Sequence, residues 1–281
     1  MDPAADNGTA VVTGASSGIG AEYARRLAGG GGRDVVLVAR RADRLGALAR
    51  ELRERHGRRV ETLTADLSDP GDLARVTERV AAEDVAMLVN SAGINGYGPF
   101  AGADPELLAK VVAVNVTALT ALTRAAVPGM LARGRGSVVN VASLLAFAGS
   151  LPPDPLPYRA VYAGTKGYAV TFTRTLAAEL DGTPLVVQVL CPGLTATEFH
   201  LTPGDEPVPG AEELVHEEGG MPAADVVSAS LAALRGGEVV CVPALEDPAA
   251  VTRLVGAETA LRSPAGGRLA GRYRHGGTTA G

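Results

Sequence analysis

The chain is 281 residues long, enough for one large α/β domain or two small ones, and 46% apolar residues supply a sizeable core. Aromatic residues make up only 4% and Trp is absent, so that core must be mainly Ala, Val and Leu. A net charge of −5 argues against a nucleic-acid or anionic-membrane surface, and two cysteines, Cys191 and Cys241, are too few for a disulfide framework and lie in no metal-ligand spacing.

Met1-Asp2-Pro3-Ala4-Ala5-Asp6 shows no signal-peptide pattern, and no apolar run approaches the length needed to span a bilayer. The expectation is a soluble cytoplasmic protein with reduced thiols, no metal, no nucleic acid and no membrane. Thr9-Ala10-Val11-Val12 reads as a buried strand and Ala21–Ala28 as a helix. Between them lies Thr13-Gly14-Ala15-Ser16-Ser17-Gly18-Ile19-Gly20. Glycines at a strand-to-helix turn let a ligand approach the backbone, and the first helical amides suit a phosphate.

Val35–Ala39 reads as a second strand after the loop Gly29–Gly32, followed by a helix from Ala42 to about His56. Val60–Thr64 is a third strand that ends at Asp66-Leu67-Ser68-Asp69-Pro70. There Ser68 or Asp69 can cap a helix and Pro70 suits its first position. Val85–Val89 is a fourth strand, ending at Asn90-Ser91-Ala92-Gly93. A helical stretch follows from about Pro105 to Leu131, then a fifth strand, Ser137–Val141, that ends at Ser143. The proline-dense loop Leu151–Pro157 precedes a helix from Tyr158 or Val161 to Leu180. Leu185–Leu190 is a sixth strand, ending at Cys191-Pro192-Gly193. Residues 194–220 are polar, broken by Pro and Gly, and expected to be mobile. A helix over Ala223–Leu234 and a short strand over Glu238–Val242 complete the pattern, and residues 276–281 are expected to be disordered.

Apolar strands separated by helices imply an α/β fold: a single doubly wound Rossmann-type domain with a parallel seven-stranded sheet and helices on both faces. The domain is expected over residues 1–257, with insertions at about 149–159 and 194–220 and a tail over 258–281. Ligands in such sheets bind beyond the carboxyl ends of the strands, where Gly14, Asp66, Asn90, Ser143 and Pro192 all fall.

Tyr162-Ala163-Gly164-Thr165-Lys166 puts Tyr and Lys four apart, on one face of a helix. An ammonium beside a phenol favours the phenolate, which lets Tyr exchange a proton at neutral pH. Tyr158 lacks this partner, because Tyr162 occupies the position four residues on.

Taken in order, Thr13-Gly14-x-x-x-Gly18-x-Gly20, Asp66, Asn90-x-Ala92-Gly93, Asn115, Ser143, Tyr162-x-x-x-Lys166 and Pro192-Gly193 resemble the classical short-chain dehydrogenases/reductases over about Thr9 to Val242. The resemblance implies a catalytic set of Asn115, Ser143, Tyr162 and Lys166. Tyr162 would be the general acid and Ser143 would orient the carbonyl oxygen. Lys166 would lower the Tyr162 pKa and hold the nicotinamide ribose, and Asn115 would support a water linking Lys166 to solvent. Gly14, Ser16, Ser17, Gly18, Ile19 and Gly20 would hold the cofactor phosphates, and Asp66 and Leu67 the adenine. Asn90, Ala92 and Gly93 would line the adenine and ribose region. Pro192, Gly193 and Thr195 would cover the nicotinamide amide and pyrophosphate. A homodimer or homotetramer is implied, built through the helices at Pro105–Leu131 and Val161–Leu180.

The second strand ends in Arg40-Arg41 with no carboxylate. Arg40 offers a charged fork of donors to a ribose 2′-phosphate, which favours NADP(H) over NAD(H) and hints at reduction. Two mild departures stand out: Ser91 where a second Asn is frequent, and Gly164-Thr165 before Lys166. The longer gap between Ser143 and Tyr162 places an extra loop, Gly149–Arg159, at the active-site mouth. There it would shape the substrate pocket with residues 197–220. Tyr97, Phe100, Phe147, Tyr158 and Phe199 are candidate mouth aromatics. The leading reading is an NADPH-dependent ketoreductase acting on a small-molecule carbonyl or imine. Alternatives are an alcohol dehydrogenase or imine reductase, and, from another class, a non-redox cyclase or NADPH-binding protein.

Overall fold

A computed structural model describes residues 8–200, 219–262, 269 and 273. The tail 276–281 and most of 194–220 lie outside the described residues. The seven-stranded sheet is built from β1 (Thr9–Thr13), β2 (Val35–Ala39), β3 (Val60–Thr64), β4 (Val85–Asn90), β5 (Gly136–Val141), β6 (Leu185–Leu190) and β9 (Val240–Cys241). All pairings are parallel, in the order β3-β2-β1-β4-β5-β6-β9. The chain winds outward to β3, then returns to pair β4 beside β1, so the switch in strand order falls between β1 and β4. A separate parallel pair joins β7 (Thr195–Ala196) to β8 (Met221–Pro222).

Strand alternation explains how the sheet is covered. Ala10 and Val12 face one apolar layer with Tyr23, Leu27, Leu45, Leu52 and Leu234. Val11 faces the other, with Val76, Leu122, Ala126 and Met130. The first layer takes its side chains from α1 (Gly18–Ala28), α2 (Ala42–His56) and α7 (Ala223–Arg235), the second from α3 (Pro70–Val80) and α5 (Leu119–Ala132). A further cluster seats α6 (Ala160–Glu179) through Ala169 and Val170 against Ala142, Val189 and Cys191. Helix α3 begins as its sequence demands: Asp69 accepts from the Asp72 amide and Pro70 is the first helical residue.

Several elements differ from expectation. Helix α1 starts at Gly18 rather than Ala21, so the end of the glycine turn is already helical. The stretch Pro105–Ala132 is helical throughout but consists of α4 (Pro105–Val112), a π-helical segment (Ala113–Ala118) and α5. It is also long and apolar enough to cross a membrane by length and composition, with a hydropathy of 1.5. The expectation that no such run exists is therefore corrected. Its apolarity serves packing, since Leu119, Leu122, Ala126 and Met130 are buried in the domain core. The last strand is only Val240–Cys241, because the Glu238 amide is bonded back to Ala233 O at the end of α7.

The chain divides into a compact unit over Met1–Ala244 and a second over Leu245–Gly281. The second contains an unexpected helix, α8 (Ala249–Arg262), and the boundary expected at 257 falls inside it.

Candidate active site

The glycine turn after β1 is shaped by close backbone approach. Gly14 has φ +68°, and a Cβ there would meet the Ser91 and Ala92 backbone at 2.9 Å. At Gly20 a Cβ would lie 2.3 Å from Gly14 O, so α1 can sit this near β1 only with glycine. Thr13 fastens the turn to the end of β4: its Oγ1 accepts from the Ser91 and Ala92 amides at 3.1 and 3.0 Å. Ser17 is the N-cap of α1 but makes no side-chain capping bond, and no acid lies in the first turn. The helix therefore opens its amides onto a cleft that Gly14, Ser16, Ser17, Gly18, Ile19 and Gly20 line.

Asp66, Leu67, Ala92, Gly93, Ser143, Tyr162, Lys166, Pro192, Gly193 and Thr195 line the same cleft, as do Arg40 and Arg41. Partial burial opposes ionisation of Asp66. Bonds from the Ser68 hydroxyl and amide outweigh it, with the Arg40 charge helping, and hold its carboxyl below the usual range. Two expected residues stand apart. Asn90 does not line the cleft; its amide nitrogen donates to Thr123 Oγ1 and Asn140 Oδ1, beneath the site. Asn140 continues this buried chain to Thr173 on α6. The Asn90 side chain thus ties β4 to β5 and α5 beneath the residues that line the cleft.

Asn115 also lies behind the cleft wall. It sits in the π-helical segment, where the wide turn brings its amide against two other elements. Its Nδ2 donates to Ile94 O and Thr165 Oγ1, and its Oδ1 accepts from the Ile94 amide. Thr165 Oγ1 in turn donates to Tyr162 O. Asn115 thus ties the chain after β4 to the turn of α6 that carries Tyr162.

Ser143 follows β5 and accepts from the Leu145 amide, which holds its hydroxyl just beyond the strand end and within hydrogen-bonding reach of Tyr162. Tyr162 is 4% exposed. Burial pushes its phenol well above the ordinary value, the nearby Tyr97 adds to this, and the Ser143 bond opposes it. Lys166 donates to Val141 O at 2.8 Å, with Nζ 5.6 Å from the Tyr162 ring centre. Burial brings its pKa down to about 8. Burial is the larger influence on both groups, and the lysine donates to the β5 carbonyl.

Tyr97 packs edge-on against Tyr162 at 5.3 Å between ring centres, and Phe199 lies at 5.9 Å. Phe100, Phe147 and Tyr158 are exposed. Residues 149–159 do not line the cleft. Instead the loop is gathered around buried Arg159, which donates to Pro157 O, Ala148 O and Leu151 O. Of the 197–220 stretch, Thr197, Glu198 and Phe199 reach the cleft, and 201–218 lie outside the described residues.

Sequence reasoning missed Glu198. It pairs with Arg41 at 2.5 Å and Arg44 at 2.9 Å. Arg41 also donates to Ser16 and Ser17 Oγ. Nothing in the local pattern of Thr195-Ala196-Thr197-Glu198 marks that reach.

The short chain dehydrogenase family model matches residues 8–205. The chain belongs to the short-chain dehydrogenase/reductase family. A very-long-chain 3-oxoacyl-CoA reductase of Anas platyrhynchos is 32% identical over 68% of this chain and 60% of its own length. The match therefore spans less than two thirds of that relative. Among solved structures, a short-chain dehydrogenase from Sphingobium yanoikuyae in complex with NADPH is 35% identical, with a TM-score of 0.85 over 95% of this chain and all of its own. A bulky-bulky ketone specific alcohol dehydrogenase from Comamonas testosteroni is 30% identical, with a TM-score of 0.82 over 95% of this chain and 98% of its own. A more distant member from Burkholderia phymatum, in complex with NAD, is 24% identical and shares the fold, with a TM-score of 0.73 over 95% of this chain and 99% of its own.

Proposed function

We propose that the protein is an NADPH-dependent ketoreductase. One observation carries this reading: a single cleft has Ser143, Tyr162 and Lys166 at one end and Arg40, Arg41, Ser16 and Ser17 at the other. A nicotinamide dinucleotide fits this cleft. The uncapped first turn of α1 suits a pyrophosphate, Asp66 and Leu67 suit an adenine, and the basic end suits a 2′-phosphate. When bound, the reduced nicotinamide supplies the hydride.

The remaining chemistry belongs to the chain. A phenol whose pKa is raised by burial keeps its proton at neutral pH, so Tyr162 enters the reduction in the protonated form that a general acid requires. It gives that proton to the substrate oxygen while Ser143 hydrogen-bonds the same oxygen. Lys166 would hold the ribose hydroxyls of a bound cofactor, and Asn115 keeps the Tyr162 turn in place through Thr165. The same groups run in reverse for alcohol oxidation and would serve an imine. Ile94, Val114 and Phe199 give the cleft an apolar lining near Tyr162, and an apolar ketone or β-ketoacyl compound suits it. The named activities of the 3-oxoacyl-CoA reductase and the ketone-specific dehydrogenase support that substrate class.

Loss of NADPH absorbance with a panel of apolar ketones, β-ketoacyl thioesters and cyclic imines tests the reading. Turnover of at least one carbonyl is expected, with Tyr162→Phe lowering kcat by about a hundredfold or more while NADPH binding, read by its fluorescence, changes little. NADPH binding without turnover on any compound would favour a non-redox cyclase or a binding protein.

A further inference from the structure

We propose that Glu198 is an internal competitor for the cofactor's 2′-phosphate, and so a residue that sets how strongly the protein prefers NADP(H) over NAD(H). The proposal rests on the dinucleotide reading above. Arg41, Ser16 and Ser17 line the basic end of the cleft beside Arg40, and Arg44 of α2 adds a further guanidinium next to them, a donor set that suits a phosphate. They already converge on an anion of the chain itself. Arg41 Nη2 reaches Glu198 Oε1 at 2.5 Å while donating to Ser16 and Ser17 Oγ at 2.9 and 2.8 Å. Arg44 Nη1 donates to Glu198 Oε2 at 2.9 Å. The carboxylate side chain is only 13% exposed.

Glu198 comes from far along the chain. It follows β7, whose pairing with β8 sets the direction of the backbone, and crosses from the β6 side of the cleft to α2. In this way a carboxylate absent from the end of β2 is supplied from elsewhere in the fold. Partial burial opposes its ionisation, but Arg41, Ser17 and Arg44 outweigh that and hold the carboxyl below its usual range. It therefore stays charged through neutral pH. A 2′-phosphate seeking the same donors must displace this carboxylate or sit beside it, and either route weakens binding. An NAD-type ribose carries no such anion and meets no such competition.

Calorimetric titration with 2′,5′-ADP and with 5′-AMP tests this on wild type, Glu198→Gln and Glu198→Asp, with thermal unfolding as a check on folding. In Glu198→Gln the affinity for 2′,5′-ADP should rise about tenfold, or about 1.4 kcal/mol, while 5′-AMP stays within about twofold. Glu198→Asp keeps the charge and should stay near wild type. Glu198→Ala should match Glu198→Gln in sign, which keeps the test open if one variant does not fold. An unchanged or lowered preference for 2′,5′-ADP in the neutral variants overturns the proposal and makes Glu198 a tether for Arg41. A gain in Glu198→Asp equal to that in Glu198→Gln overturns it too, because geometry and not charge would then be responsible. If neither nucleotide binds any form, the dinucleotide reading itself fails and takes the proposal with it.

Discussion

Lys166 occupies surroundings that work against an ammonium: it is buried, and its pKa falls to about 8. Below pH 8 both folded and unfolded chains carry the proton, so the full cost of burying the charge is felt. Between about 8 and the ordinary lysine value the folded chain gives up the proton and the unfolded chain keeps it. Stability then rises with pH. The expected difference between wild type and Lys166→Met, measured by urea unfolding, grows in favour of wild type by about 2 kcal/mol from pH 7 to pH 10. A flat difference would mean that the lysine is not desolvated. At this scale the sequence was informative where backbone demands select one residue type. Gly14 and Gly20 are legible because no Cβ fits, and Tyr162 and Lys166 because helical spacing alone brings them together. Asn90 was not legible in the same way. Its place at a strand end is plain, but only the packed structure shows that its side chain turns toward Thr123 and Asn140. Glu198 was hidden more deeply, since its partners are over 150 residues away in the chain.

Elements show a similar division. The apolar runs of β1 to β6 and the capped start of α3 follow from alternation and capping chemistry, and their observed bounds agree closely with those rules. The π-helical segment has no such signature, because its residues continue the helical pattern on both sides; only tertiary contacts decide that Asn115 turns inward. The loop over 149–159 was expected to shape the substrate pocket at the active-site mouth. Arg159 collects the carbonyls of Leu151 and Pro157 within the loop and of Ala148 just before it, and the Gly98 amide donates to Tyr158 O. Arg159→Ala should therefore cost about 2 kcal/mol, read as a lowered Tm, and should make the loop the first site of limited proteolysis. An unchanged Tm with an intact loop would show that the carbonyl bonds are replaceable by water.

For the whole molecule, the doubly wound order was readable because each chemically marked residue follows a strand, and parallel strands bring their ends to one edge. What lay beyond β9 was not: α8 carries little apolar contrast between its faces, and none of its residues is buried. We propose a homodimer or homotetramer, as the family resemblance implies. Val112, Leu131 and the stacked Tyr168 and Phe172 give the helices at Pro105–Ala132 and Ala160–Glu179 a partly exposed apolar surface for it. Light scattering in solution should report two or four chains, and a single-chain mass would remove this expectation. The fastening of Thr13 to the Ser91 and Ala92 amides has one more consequence. Residues suited to grip a nucleotide come largely from β1, β2 and β3, whereas those suited to move a proton come from β5 and α6. The β1–β4 boundary lies between these two duties. Loss of the Thr13 hydroxyl would therefore loosen the register between the two ends of the cleft while leaving each end intact.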